Sequence, residues 1–129
     1  MFEGLANGEM YLVKAEAEAR AGNTAKAMDD LNTLMQNRMV NTTGQPFVPL
    51  TASSAPDALQ KVLTERRKEL IFRDRRWMDI KRLNLENANI ILTRTVSGQT
   101  YTLMPNANRY AIPLPDMVIK ISGMPQNPE

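Results

Sequence analysis

From Glu65 to Arg82 the chain reads Glu65-Arg66-Arg67-Lys68-Glu69-Leu70-Ile71-Phe72-Arg73-Asp74-Arg75-Arg76-Trp77-Met78-Asp79-Ile80-Lys81-Arg82, a run crowded with ionisable side chains. Carboxylates in such a run suggest glycoside hydrolysis, which needs a pair about 5–9.5 Å apart with one member kept protonated. Here every carboxylate has an Arg or Lys beside it, which favours the ionised form. No catalytic residue is therefore assigned, and the chain is not expected to be an enzyme. The second chemistry is phosphate binding, since residues 61–82 hold nine basic side chains against four acidic ones and a basic helix can track a nucleic-acid backbone. The acids are interleaved with the bases, however, and a recognition helix needs a frame that a turn at Arg73–Asp74 supplies only loosely. Nucleic acid is not the expected partner.

A structural reading of the same residues is stronger. Arg66 falls on the helical face of Leu59, Leu63 and Leu70, and a buried guanidinium without a carboxylate costs on the order of several kcal/mol. Glu65, Glu69 and Asp79 are within reach in sequence, and Arg76 and Arg82 flank Asp79 at three-residue spacing, which puts them on one face with it. Glu65, Arg66, Glu69, Arg76, Asp79 and Arg82 are thus expected to form a charge network locking a long helix to a short one, with Trp77 as a buried apolar anchor.

These elements sit in a chain of 129 residues with net charge +2, no cysteine and no histidine. The length suits a single domain, residues 1–129. Lack of Cys and His removes disulfides, thiol nucleophiles, thiolate metal sites and imidazole acid–base catalysis together; no metal or cofactor is expected. No stretch approaches the ~20 apolar residues of a membrane helix, and residues 1–20 lack the layout of a secretion signal, so the chain by itself reads as soluble and without an address.

Helix periodicity predicts an antiparallel helix hairpin over residues 7–38. The first helix runs from Asn7 or Gly8 to Arg20 with a narrow stripe of Leu12, Ala15 and Ala19, and Gly22 ends it. The second runs from Ala25 to about Arg38 with Ala27, Met28, Leu31, Leu34 and Met35 inward. The hairpin resembles one tetratricopeptide-like unit, and one copy of such a unit needs another surface to cover it. Residues 39–56 form a long polar loop with Phe47, Val48 and Leu50 as a docking point. Residues 57–83 are the charged helices: Ser54 caps the first, Pro56 and Asp57 suit its first turn, and a turn near Arg73–Asp74 separates it from the second, which ends near Leu83. Residues 84–129 read as an irregular tail. In it Ile90–Leu92 is either a short strand or a helix end. Tyr101–Met104 and Arg109–Ile112 read as a β-hairpin about residues 105–108, Gly98 stands alone, and Asp116 caps a helical turn through Ile119.

Several motifs then fall in an order seen in one family. They are Tyr11-Leu12-Val13-Lys14-Ala15-Glu16-Ala17 followed by Gly22 and Leu31-Asn32, Glu65-Arg66 with Glu69-Leu70, Arg76 to Arg82, Ala111-Ile112-Pro113, and the closing Gln126-Asn127-Pro128. Together they resemble the C-terminal portion of SusD/RagB-type outer-membrane nutrient-binding lipoproteins. One departure is Arg73-Asp74, where family members commonly carry Glu-Gly; a Gly there permits a left-handed turn that Asp adopts less easily.

The resemblance implies a mainly α fold. It further implies part of a longer lipoprotein of Bacteroidetes-type bacteria, held at the cell-surface side of the outer membrane by an N-terminal lipid. Such proteins bind oligosaccharides, sometimes peptides, for a SusC-like TonB-dependent transporter. This portion would be mainly scaffold. Ligand residues are not carried over, because they vary and lie mainly elsewhere; the aromatic side chains available as a sugar platform are Phe47, Tyr101 and Tyr110, and for each a place in the core is the favoured expectation. The alternative reading is a helical protein–protein interaction module without a sugar role.

Overall fold

The computed structural model describes Gly4 and residues 6–128. The chain, expected as one domain, divides into two compact units, Met1–Arg76 and Trp77–Glu129. Helices dominate the first; the second is largely irregular, and the described residues add one small two-stranded sheet there.

In the first unit, α1 (Asn7–Arg20) and α2 (Thr24–Met35) form the expected helix hairpin. Gly22 (φ +84°) makes the reversal, with Asn23 N–H donating to Glu18 O at 2.9 Å and Gly22 N–H to Ala19 O at 3.1 Å. This left-handed helix end is one that glycine adopts without steric cost. Lys14 Nζ donates to Asp30 Oδ1 at 2.7 Å across the hairpin, a bond that raises the lysine pKa. α3 (Ala55–Glu69) packs against both helices. Its start is doubly capped: Asp57 N–H donates to Ser54 Oγ at 3.3 Å, and Ser53 N–H donates to Asp57 Oδ2 at 2.9 Å, so two free helix-end or entry groups are satisfied. The core is one cluster of Leu12, Ala15 and Ala19 from α1, Ala27, Met28, Leu31, Leu34 and Met35 from α2, and Ala58, Val62 and Leu70. The small residues let the helix axes approach while Leu and Met fill the remainder.

The 39–56 loop is held rather than free. Phe47, Leu50 and Ala52 pack against the core. The Asn32 side chain donates Nδ2 to Leu50 O at 2.9 Å and accepts Leu50 N–H at Oδ1 at 2.8 Å. One amide thereby satisfies both backbone groups of one residue, as a neighbouring strand would. After α3 the chain turns through Phe72 (φ +60°) and Asp74 (φ +53°). Asp74 takes the left-handed conformation, so the break between helices is kept without the glycine.

The second unit carries nearly all of α4 (Arg76–Leu85), then β1 (Leu92–Val96), β2 (Gln99–Leu103), a 3-10 turn at Asn108–Tyr110 and α5 (Asp116–Ser122). The expected hairpin of 101–104 with 109–112 is corrected. β1 pairs antiparallel with β2, Leu92 opposite Leu103 and Arg94 opposite Tyr101, while residues 108–110 coil into the 3-10 turn. The reason is Ser97-Gly98. Both residues have positive φ, +50° and +80°, the requirement of the two-residue turn whose twist matches paired strands. Asn84 closes the loop after α4: its Nδ2 donates to Ile90 O at 3.0 Å and its Oδ1 accepts Ile90 N–H at 2.7 Å. Gln126 repeats the arrangement, donating Nε2 to Leu114 O at 3.0 Å and accepting Leu114 N–H at 2.8 Å. Asn127 Nδ2 adds a bond to Ile112 O at 2.8 Å.

Candidate functional site

The charged stretch is placed by α3 and the turn after it. Arg66, buried on the inner face of α3, has the carboxylate of Glu9 beside it, N–O 3.8 Å, and Arg75 approaches the same carboxylate at 3.5 Å. Glu9 lies in the first turn of α1, where the helix dipole favours an acid. Glu69 reaches a different partner, accepting from Arg38 Nη2 at 2.8 Å and from its Nε at 3.0 Å. That forked bond raises the Arg38 pKa. The same carboxylate rests against Gly8, where an added Cβ would stand 2.7 Å from Glu69 Oε1. One side chain at the end of α3 therefore meets both the start of α1 and Arg38, three residues beyond α2. Glu65 pairs with Lys68 at 2.6 Å along α3. Within the second unit, Arg82 Nε donates to Asp79 at 2.9 Å, as the three-residue spacing predicts.

Sequence reasoning missed Glu9 and Arg38 as partners. Each lies more than thirty residues from the group it pairs with, and the available signals were a buried arginine in need of an acid and a glycine inside a helix start.

Trp77 is 38% exposed, which corrects the expectation of a buried anchor. It stands in the first turn of α4, where side chains point back past the helix start. Its ring meets Tyr110 at 4.9 Å between centroids, tilted by 37°. Of the three aromatic side chains considered for a sugar platform, Tyr110 is 6% exposed, with its hydroxyl 3.4 Å from Asn84 Nδ2, and Phe47 packs on the core. Tyr110 is excluded as an open platform, and Phe47 is partly open. Tyr101 is 55% exposed, on the sheet face that also carries Arg94 and Gln99. The other sheet face is a ladder of Thr93, Thr95, Thr100 and Thr102, with Thr95 and Thr100 hydroxyls 3.1 Å apart.

The surface also carries concave places. A cleft of about 490 Å³ between the end of α2, the held loop and α3 is lined by Met39, Phe47, Val48, Glu65 and Lys68 among others. A second, of about 360 Å³, lies against the Gln126–Asn127 clamp and is lined by Arg109, Ala111 and Pro113. Among the described residues no group of three or more acidic side chains is gathered as a metal site, and no helix is long and apolar enough to cross a membrane.

The pattern of the SusD family matches residues 7–129. The chain belongs to that family. SusD-like protein P2 of Formosa agariphila is 33% identical over 128 residues, covering 93% of this chain and 24% of that protein. The crystal structure of a SusD-like protein from Bacteroides fragilis superposes with a TM-score of 0.56 at 26% identity, over 93% of this chain and 24% of that one. The chain thus spans about a quarter of the length of these SusD-like relatives. The motif residues that carry the SusD resemblance take legible roles here. Asn32 and Gln126 clamp backbone, Glu69 joins helix ends, and Arg66 meets a buried carboxylate.

Proposed function

We propose that this chain is part, and mainly scaffold, of a cell-surface protein that captures oligosaccharides and presents them to a SusC-like TonB-dependent transporter of the outer membrane. The observation that carries this reading is the SusD family match across residues 7–129. It is a passive binder in this reading. Glu65, Glu69 and Asp79 each face a cation at 2.9 Å or closer, and an ion-paired carboxylate makes a poor general acid. In this reading the charged side chains Glu65, Arg66, Glu69, Arg76, Asp79 and Arg82 serve the framework and not a ligand, as Glu69 does where it meets Arg38. Attachment to the membrane is through an N-terminal lipid of the longer protein.

The test is a glycan array probed with the product of the whole natural gene, together with affinity isolation of that product from outer membranes. Binding to a class of oligosaccharides and recovery of a TonB-dependent β-barrel are expected. Failure to bind any glycan, with recovery of a soluble protein instead, rejects the proposal in favour of a helical interaction module.

A further inference from the structure

We infer that the β1–β2 hairpin offers a pyranose contact, with the Tyr101 ring as its floor and Arg94 and Gln99 as its hydrogen-bonding rim. This rests on the glycan-binding reading above and names where this chain would touch the sugar.

The register puts Leu92, Arg94 and Val96 of β1 on one face with Gln99, Tyr101 and Leu103 of β2. Leu92 and Leu103 are half-buried at the base of the hairpin, whereas Tyr101 is 55% exposed at its middle. The Tyr101 hydroxyl donates to Gln99 Oε1 at 3.2 Å, which ties the phenol to its neighbour along the strand, and Gln99 itself is exposed. Arg94 stands directly opposite Tyr101 and makes no hydrogen bond or ion pair with the described residues. Its donors are available. The Ser97-Gly98 turn, with both residues left-handed, fixes the strand twist and so the relative placement of the three side chains.

A sugar ring suits this arrangement chemically. One side of a pyranose presents C–H bonds, which the electron-rich face of an aromatic ring attracts, while hydroxyls project from its edge. A guanidinium and a carboxamide at the rim of the phenol can donate to those hydroxyls. Apart from the phenol, the middle of this face is polar and its apolar area is small, unlike the aromatic and aliphatic centre of a protein interface. The sequence alone offered three aromatic candidates; Tyr110 is buried, Phe47 is partly buried, and Tyr101 is the most exposed of them.

The experiment follows backbone amide resonances of the full chain during titration with methyl β-D-glucopyranoside, with the acyclic polyol sorbitol as control. Saturable shifts confined to residues 92–103 are expected with the glucoside and not with sorbitol. Tyr101→Leu, which keeps apolar bulk and strand preference but no flat ring, should weaken the effect roughly fivefold, the scale of one aromatic contact. Tyr101→Phe should retain most of it. Retained cross-strand contacts between Thr95 and Thr100 verify that each variant keeps the hairpin. Glucoside shifts that survive Tyr101→Leu, that fall outside the hairpin, or that do not occur overturn the inference. None of these outcomes touches the glycan-array result, which decides the broader reading by itself.

Discussion

The two units are held together in different ways. The first surrounds a continuous apolar cluster drawn from three helices and Leu70, nearly closed to water, with the partly buried Phe47, Leu50 and Ala52 of the loop packed against it. The second buries few large apolar side chains, chiefly Ile80, Leu83 and Tyr110, and depends on side-chain amides that bond to backbone. Asn84 holds Ile90, Asn106 Nδ2 reaches Asn84 O at 3.2 Å, Gln126 holds Leu114, and Asn127 holds Ile112. The contrast teaches that a chain poor in aromatic residues can order irregular backbone with carboxamides. A carboxamide carries a donor and an acceptor in the same plane and so copies a peptide group. The first unit uses the two-sided form of the device at Asn32, to hold a loop in which Asn41 Oδ1 also accepts Phe47 N–H at 3.2 Å.

The comparison can be broken at its strongest point. Leu31→Ala, at a fully buried position of α2, should destabilise the first unit by about 3 kcal/mol, read as a shift in urea midpoint by far-ultraviolet circular dichroism. Asn84→Asp changes almost no volume but removes the donor and buries a charge, because Asn84 is 2% exposed. A loss of roughly 2–3 kcal/mol is expected, seen as faster amide hydrogen exchange across residues 84–92. If that variant is as stable as the parent, the carboxamides are incidental and the contrast fails.

A smaller effect tests the meeting of helix ends at Glu69. Gly8→Ala should cost roughly 1–2 kcal/mol, since the new methyl group would lie 2.7 Å from the carboxylate. In a Glu69→Ala background the same change should become neutral or favourable by helix propensity, and a double-mutant cycle measures the difference. Asp74→Gly should stabilise by about 0.5 kcal/mol, by relieving a left-handed L-residue at φ +53°. The smallest effect is in acid. The Lys61 bond, then that from Ser53 N–H, hold the Asp57 carboxyl below its usual range. Its contribution to α3 is therefore complete above the ordinary carboxylate pKa and is lost as pH falls through the lower folded value. Asp57→Asn should flatten that part of the acid unfolding curve.

Much of the helical half was legible in the sequence. Gly22, Ser54, the Leu12–Ala15–Ala19 stripe and the Ala27–Leu31–Leu34–Met35 face are local signals, and α1 and α3 begin within a residue or two of where those signals put them. The hairpin was misplaced because Pro105-Asn106-Ala107-Asn108 is a more conspicuous turn in composition than Ser97-Gly98, although only the latter has the twist that two paired strands require. Two partners, Glu9 of Arg66 and Arg38 of Glu69, were not legible for another reason. Nearness in sequence supplied Glu65 and Asp79 as candidates, whereas Glu9 and Arg38 come close only after the helices pack. Of the aromatic candidates, composition named three and only burial could separate them.

The Gln126 clamp makes the identity of a single terminal atom decisive. Conversion of its carboxamide to a carboxylate, by mutation or by slow hydrolysis as the protein ages, would exchange the hydrogen-bearing nitrogen that meets Leu114 O for an oxygen that repels it. The strand-like pairing would survive on one side and be lost on the other. A change of one mass unit near the chain end would then release the 112–114 segment from its place.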